Sequence, residues 1–252
     1  MEKVDDIDTN RPSFMFSPLV LPKGSVQLEN GTLYQHFDHG VTYYELSDTQ
    51  VRVGLTKRVE FQMFVPTFIL NHQSHTTLYQ AGTTDLEEVG FKIQLPAIKK
   101  FQPTVIAAMN IPTGSKNING PGVQPVFRMP YGISVGNWGI MGMQSLLVLN
   151  SGRDAQYQPD FMLTRNITPR LGVFAEYLGV FTHQANGFSI MHFGSTWKVA
   201  RDHQFDIQWG FGLNKSAPAA LVGVGYSYRF DWLPWGGPRT PKPRESDKPQ
   251  AP

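Results

Sequence analysis

The stretch from residue 203 to residue 230, HQFDIQWGFGLNKSAPAALVGVGYSYRF, constrains the fold more than any other part of the chain. Phe205, Ile207, Trp209, Phe211 and Leu213 take the odd positions, and Gln204, Asp206, Gln208, Gly210, Gly212 and Asn214 the even ones. After the turn Lys215-Ser216-Ala217-Pro218 the alternation resumes. Ala220, Val222, Val224, Tyr226, Tyr228 and Phe230 fall on one face, and Leu221, Gly223, Gly225, Ser227 and Arg229 on the other. A period of two held this long describes a strand hairpin with one apolar and one polar face. A soluble sandwich would bury the apolar face. A transmembrane barrel turns it to lipid, with strands of ~10 residues and aromatics near their ends. Trp209, Tyr226, Tyr228 and Phe230 suit the second arrangement.

The same alternation recurs along the chain. Strands are expected at about 25–37, 43–55, 59–65, 88–95, a fifth ending at Ile111, 127–135, a seventh ending at Asn150, 157–165, 171–177 and 188–199, before the two of the hairpin. In the third, Val59, Phe61, Met63 and Val65 oppose Arg58, Glu60 and Gln62; in the fourth, Val89, Phe91, Ile93 and Leu95 oppose Glu88, Gly90, Lys92 and Gln94. The seventh is blurred by the continuously apolar run from Leu146 to Leu149. A long polar loop is expected at 71–85, and the prolines of the first two dozen residues argue against regular structure before Ser25. Twelve is an even number, and connections after even strands are short while those after odd strands are mostly longer. Outer-membrane barrels show that asymmetry, with short periplasmic turns. The expectation is an all-β, transmembrane, antiparallel up-and-down β-barrel of about 12 strands, with both termini periplasmic.

The apolar face of the better-patterned strands holds no Asp, Glu, Lys or Arg. Such a charge at mid-bilayer costs roughly 2–4 kcal/mol. In a soluble barrel that face would point inward, and twelve strands would enclose more space than its side chains fill. Composition agrees. No apolar run approaches the ~20 residues of a membrane helix, and a net charge of +2 does not favour nucleic acid as a partner. With no cysteine, disulfides and thiolate sites are excluded. The opening MEKVDDIDTN lacks a basic and then an apolar region, so a secretory signal is expected to be absent from this chain. The chain divides into an N-terminal periplasmic extension (1–23), the barrel (24–230) and a Pro-rich periplasmic tail (231–252).

Seven segments, in order, carry a resemblance: LPKGSVQLENGTLY, VRVGLTKRVEF, DLEEVGFKIQL, IPTGS, RLGVFAEYLG, HQFDIQWGFGLN and VGVGYSYRF. Over about residues 11–230 the chain resembles the outer-membrane transporter family named for the meta pathway of phenol degradation. The resemblance implies a Gram-negative outer-membrane barrel, a channel or transporter for small, often aromatic or apolar solutes. It supplies no substrate-binding residues. Val53 stands where the family often has tyrosine. The tail continues past Phe230, where such barrels commonly end on the aromatic that assembly machinery reads.

By phase, Phe205, Ile207, Trp209, Phe211, Val222, Val224, Tyr226, Tyr228 and Phe230 face lipid. Arg52, Arg58, Glu60, Glu88, Lys92, Arg128, Asp160, Glu176, His192, Lys198, Asp206 and Arg229 face the lumen. These charges of both signs form either a polar constriction that selects solutes or a salt-bridge network filling a narrow interior. Gly225, also facing inward, is expected to accept serine unless packing requires a glycine. His36, Asp38, His39, His72 and His75 could meet at the outer loops, but outer loops are commonly polar, and no metal or cofactor is expected. Ser189 and Ser195 alternate away from His192, so no hydrolase triad forms, no catalytic residue is assigned and the chain is read as not an enzyme. Thr113-Gly114-Ser115-Lys116 lacks phosphate-loop spacing. The tail, with Trp232 and Trp235, is either an unstructured end or a tether for a periplasmic partner. A non-transporting, anchoring barrel that uses that tail within a larger assembly is the alternative function.

Overall fold

The computed structural model describes residues 2–4, 6–38, 40–73, 79–119, 122–183, 185–231, 233, 235 and 239–241. Twelve strands form one closed antiparallel sheet. They are β1 (Val26–His36), β2 (Val41–Gly54), β3 (Val59–Val65 and Phe68–Gln73), β4 (Tyr79–Thr83 and Leu86–Gln94), β5 (Phe101–Ile111) and β6 (Gln124–Val135). The second half comprises β7 (Trp138–Leu149), β8 (Asp154–Asn166), β9 (Leu171–Thr182), β10 (Phe188–Lys198), β11 (His203–Gly212) and β12 (Ala220–Phe230). Each strand pairs with its sequence neighbours, and β12 closes on β1 from Ala220 opposite His36 to Phe230 opposite Val26. That pairing leaves no open edge between the first and last strands, the condition for satisfying backbone groups in lipid.

β3 breaks at Pro66, which has no N–H to give to a ladder. Much of the loop expected at 71–85 is strand: β3 runs on to Gln73 and β4 restarts at Tyr79. The polar composition there lines a hairpin rather than a loop. The prolines argue against regular structure before Ser25, yet Glu2–Val4 pairs in parallel with Arg239–Pro241.

Connections at the end of the barrel that carries Val26 and Phe230 are short, as in residues 55–58, 136–137 and 167–170. This is the turn end. The opposite, loop end carries the longest connection, 112–123. Outward positions match the sequence phase. Phe205, Ile207, Trp209, Phe211, Val222, Val224 and Tyr226 are exposed on the outer surface, while Tyr228 and Phe230 are half-covered by each other near the turn end. Arg165 shares the outward phase only one residue from the end of β8, with its guanidinium 4.8 Å from the ring centre of Trp138. That contact suits the boundary between apolar and aqueous layers. Arginine in place of Val224, 53% exposed in mid-strand, should therefore cost about 2–4 kcal/mol and reduce folding into lipid vesicles. Undiminished yield would show that β12 is out of phase.

Two β-bulges interrupt the alternation on the inside. On β2, Leu46 and Ser47 oppose Thr32 alone, and Ser47 has φ 68°. On β4, Glu87 and Glu88 oppose Asn110 alone, and Glu88 has φ 50°. One extra residue reverses the phase beyond it. Glu45 thereby shares the inner face with Asp48 and Gln50, and Glu87 turns inward beside Glu88.

Twelve strands with ~4.8 Å spacing and a tilt near ~40° give a backbone radius of roughly 12 Å. The chain's own N-terminal segment takes up much of this interior. The part of the expected periplasmic extension from Asp6 to Lys23 runs through the lumen, with Ile7, Asn10, Met15, Phe16, Ser17 and Leu21 buried. Met15 and Phe16 join Ile106, Ala108, Val126, Met143, Met162 and Phe174 in one buried apolar cluster, against which Leu147 packs. This explains the blurred pattern of β7: its inner face meets an apolar segment instead of water.

Candidate functional site in the lumen

A segment containing Pro12, Pro18 and Pro22 cannot make a regular ladder, yet its buried N–H groups require acceptors. Inward-facing carboxylates supply them. Asn10 N and Arg11 N donate to Glu29 at 2.8 and 2.9 Å. Phe14 N and Met15 N donate to the two oxygens of Glu176 at 3.2 and 2.8 Å. Leu21 N donates to Glu60 at 2.7 Å. Three carboxylates from three strands thus hold three points along the segment. Bonds of this charge-assisted kind are worth about 1.5–3 kcal/mol each.

The carboxylates are themselves held. Arg52 binds Glu60 through Nε at 2.6 Å and Glu29 through an Nη at 2.8 Å, with all three side chains fully buried. The Arg52 guanidinium also donates to the carbonyl of Asp8, and Lys92 is buried in the same field. Both ring nitrogens of His192 are engaged, Nδ1 with Glu176 and Nε2 with Gln208. Asp160 is buried beside Glu176. Nearer the loop end, Arg128 binds Glu88, donates to Ser145 and Gln158, and lies 5.3 Å from the ring centre of Phe16.

Arg11 crosses the middle of the lumen. Its guanidinium lies 3.6 Å from Asp48 and 3.3 Å from Asp206. The space for it comes from Gly31 and Gly225, directly opposite one another on β1 and β12. A Cβ at Gly31 would come within 2.1 Å of the guanidinium, and one at Gly225 within 2.3 Å of Nε. Gly225 is the exception allowed for in the sequence reading: a serine there would have to displace an arginine already tied to two carboxylates.

The segment divides the interior in two. At the loop end is a cavity of about 470 Å³ with Asn10 to Phe14 and Phe16 as its floor. At the turn end is one of about 190 Å³ reached by Ile7, Thr164 and Lys198. Arg11, Pro12 and Ser13 border both.

Of the residues assigned to the lumen from phase, Arg52, Glu60, Glu88, Lys92, Asp160, Glu176, His192, Asp206 and Arg229 are buried within it. Arg128 is nearly buried, and Lys198 borders the turn-end cavity. Arg58 is a correction. It lies exposed in the turn between β2 and β3, because the ladder ends at Val59 and the chain has already left the barrel wall. Glu60 binds Arg52, Glu176 binds His192, and Arg229 binds Asp231, 3.0 Å away at the turn end.

Glu29, Glu45, Asp48 and Glu87 were not singled out from sequence. Glu29 was legible, since Gln27 and Glu29 alternate with Val26 and Leu28. The apolar trio Phe14-Met15-Phe16 amid prolines was the one signal that the N-terminal segment packs against something.

His39 and His75 of the possible metal cluster lie outside the described residues, and no group of three or more ligands forms among the described ones. Ser189 lies 3.0 Å from the Tyr177 hydroxyl, and Ser195 donates to the carbonyl of Gly172, so His192 meets neither serine. Trp232 and most of the tail also lie outside the described residues. Trp235 Nε1 donates to the carbonyl of Gly54 at the turn end.

An apolar outer belt, a polar and charged interior and complete closure define the fold of the outer-membrane β-barrels. Two solved barrels are similar in fold. An outer membrane channel from Pseudomonas putida F1 has a TM-score of 0.63 at 12% identity, covering 87% of this chain and 100% of its own. The NanC porin has a TM-score of 0.53 at 10% identity, covering 81% of this chain and 98% of its own. No functionally curated protein matches the chain. The chain belongs to the family described as "Putative MetA-pathway of phenol degradation", whose profile matches residues 9–230.

Proposed function

We propose that the protein is a non-enzymatic channel or transporter of the Gram-negative outer membrane for small solutes, with aromatic or apolar compounds the favoured class. The observation that carries this reading is the loop-end cavity. Its volume is in the range of small-ligand sites, and its wall combines Phe14, Phe64, Leu178, Val180 and Phe188 with a few charged groups. The names of the similar barrels, a channel and a porin, and the family's phenol-degradation label point the same way. Passage requires residues 6–24 to move, because they separate the two cavities.

In this reading the turn end and both termini face the periplasm, where residues 231–252 are available to a protein partner. Cysteines at Thr56 and Asn117 test the orientation. An impermeant maleimide should label Asn117→Cys on intact cells and Thr56→Cys only after permeabilisation; equal labelling would refute the orientation. Transport is tested by loading vesicles containing the folded protein and measuring uptake of radiolabelled phenol-sized solutes. Uptake no faster than in protein-free vesicles would favour the second reading, an anchoring barrel. That alternative draws on one observation, a lumen occupied by the chain itself and fastened by fully buried ion pairs.

A further inference from the structure

The charges around the loop-end cavity do not balance. Glu45, Asp48, Glu87 and Glu88 border it, against Arg11 and Arg128. Arg11 is engaged by Asp48 and Asp206, and Arg128 by Glu88. Glu45 accepts only a 3.3 Å bond from Gln35 Nε2, and Glu87 has no ion pair or hydrogen bond among the described residues. These two carboxylates face inward only because of the bulges on β2 and β4, a device that re-aims individual side chains. Across the cavity stand Phe14, Leu178, Val180 and Phe188. A second, separate feature is Gln50. It is 1% exposed and borders the same cavity, its Oε1 accepts from Asn10, and its Nε2 has no partner.

We propose that this cavity binds small organic cations with an aromatic or apolar body: an ammonium group at Glu45 and Glu87, the body against Phe14 and Phe188, and an oxygen acceptor towards Gln50. The assignment rests on the channel reading for its biological sense and narrows the solute class. An uncompensated carboxylate pair in a low-dielectric cavity concentrates cations and repels anions. The apolar wall adds affinity for a hydrophobic body that a free metal ion or a polyamine would not use.

The full-length folded protein in detergent, titrated calorimetrically with three probes, tests this. The probes are 2-amino-1-phenylethanol, 1-phenylethane-1,2-diol and mandelate, which share a phenyl ring and a benzylic hydroxyl and differ in charge. The amine should bind roughly tenfold or more tightly than the diol, with mandelate weakest. The double variant Glu45→Gln, Glu87→Gln should bring the amine down to the level of the diol. Equal binding of all three probes by the wild type, or tight amine binding retained in the double variant, would overturn the proposal. A double variant that fails to fold leaves the wild-type ranking of the probes to decide. Because binding is read without transport, a barrel that conducts but shows no preference sinks this inference alone. A barrel that binds the amine but passes no solute sinks only the channel reading.

Discussion

Deleting residues 1–24 should convert a closed barrel into one that conducts continuously. The segment they contain is the partition between the two cavities, and without it the lumen is lined only by strand side chains around a backbone radius of roughly 12 Å. The variant should still fold, because all twelve strands of the closed sheet begin at or after Val26. Glu29, Glu60 and Glu176 lose N–H donors but gain access to water, so their charge remains solvated. The lost burial of Ile7, Met15, Phe16 and Leu21, at about 1.5–3 kcal/mol per large side chain, should lower thermal resistance appreciably. Planar-bilayer recording of the two proteins checks this. Indistinguishable conductance would mean that the segment does not close the path.

Replacing Arg52 with methionine is the second change expected to have a large effect. The guanidinium is fully buried between Glu29 and Glu60, which are fully buried too, and its removal leaves two neighbouring carboxylates unpaired. Breaking a buried pair in this way costs about 3–5 kcal/mol. The loss extends to the N-terminal segment, because the same carboxylates accept from Asn10, Arg11 and Leu21. The folded band on a semi-native gel should therefore convert at a clearly lower temperature. Arg58→Met, in an exposed turn, should shift stability by no more than about 0.5 kcal/mol. If the two variants behave alike, the buried network is not what stabilises the interior. The additional variants Glu29→Gln and Glu60→Gln should partly restore Arg52→Met, since they remove the charge left without a partner.

The two readings of the inward charges take a specific form in this structure. The charges make a network, but its main customers are backbone N–H groups of the N-terminal segment, held by Glu29, Glu60 and Glu176. The carboxylates of Glu45 and Glu87 stand apart from that network, together on the wall of the loop-end cavity. In the proposed reading, structural and selective roles are divided between residues rather than shared by all of them.

Strand number, phase and closure were within reach of the sequence. The environment on each side of a barrel wall acts on every second residue, so lipid writes its demand directly into Phe205, Ile207, Trp209 and Val224. Where the two strands of a ladder differ by one residue, that logic lapses. The extra residues at Ser47 and beside Glu88 reverse the phase, and alternation read from one strand cannot show what its partner lacks. Arg58 failed for a related reason, since phase says nothing about where a ladder stops. The course of residues 6–24 was beyond a strand-by-strand reading altogether. A proline-interrupted segment carries no periodicity, and its place is decided by acceptors scattered over β1, β3 and β9, which closure of the barrel brings around it. Only the tertiary structure joins Arg11 to Asp206, across 195 residues, in the gap that Gly31 and Gly225 leave open.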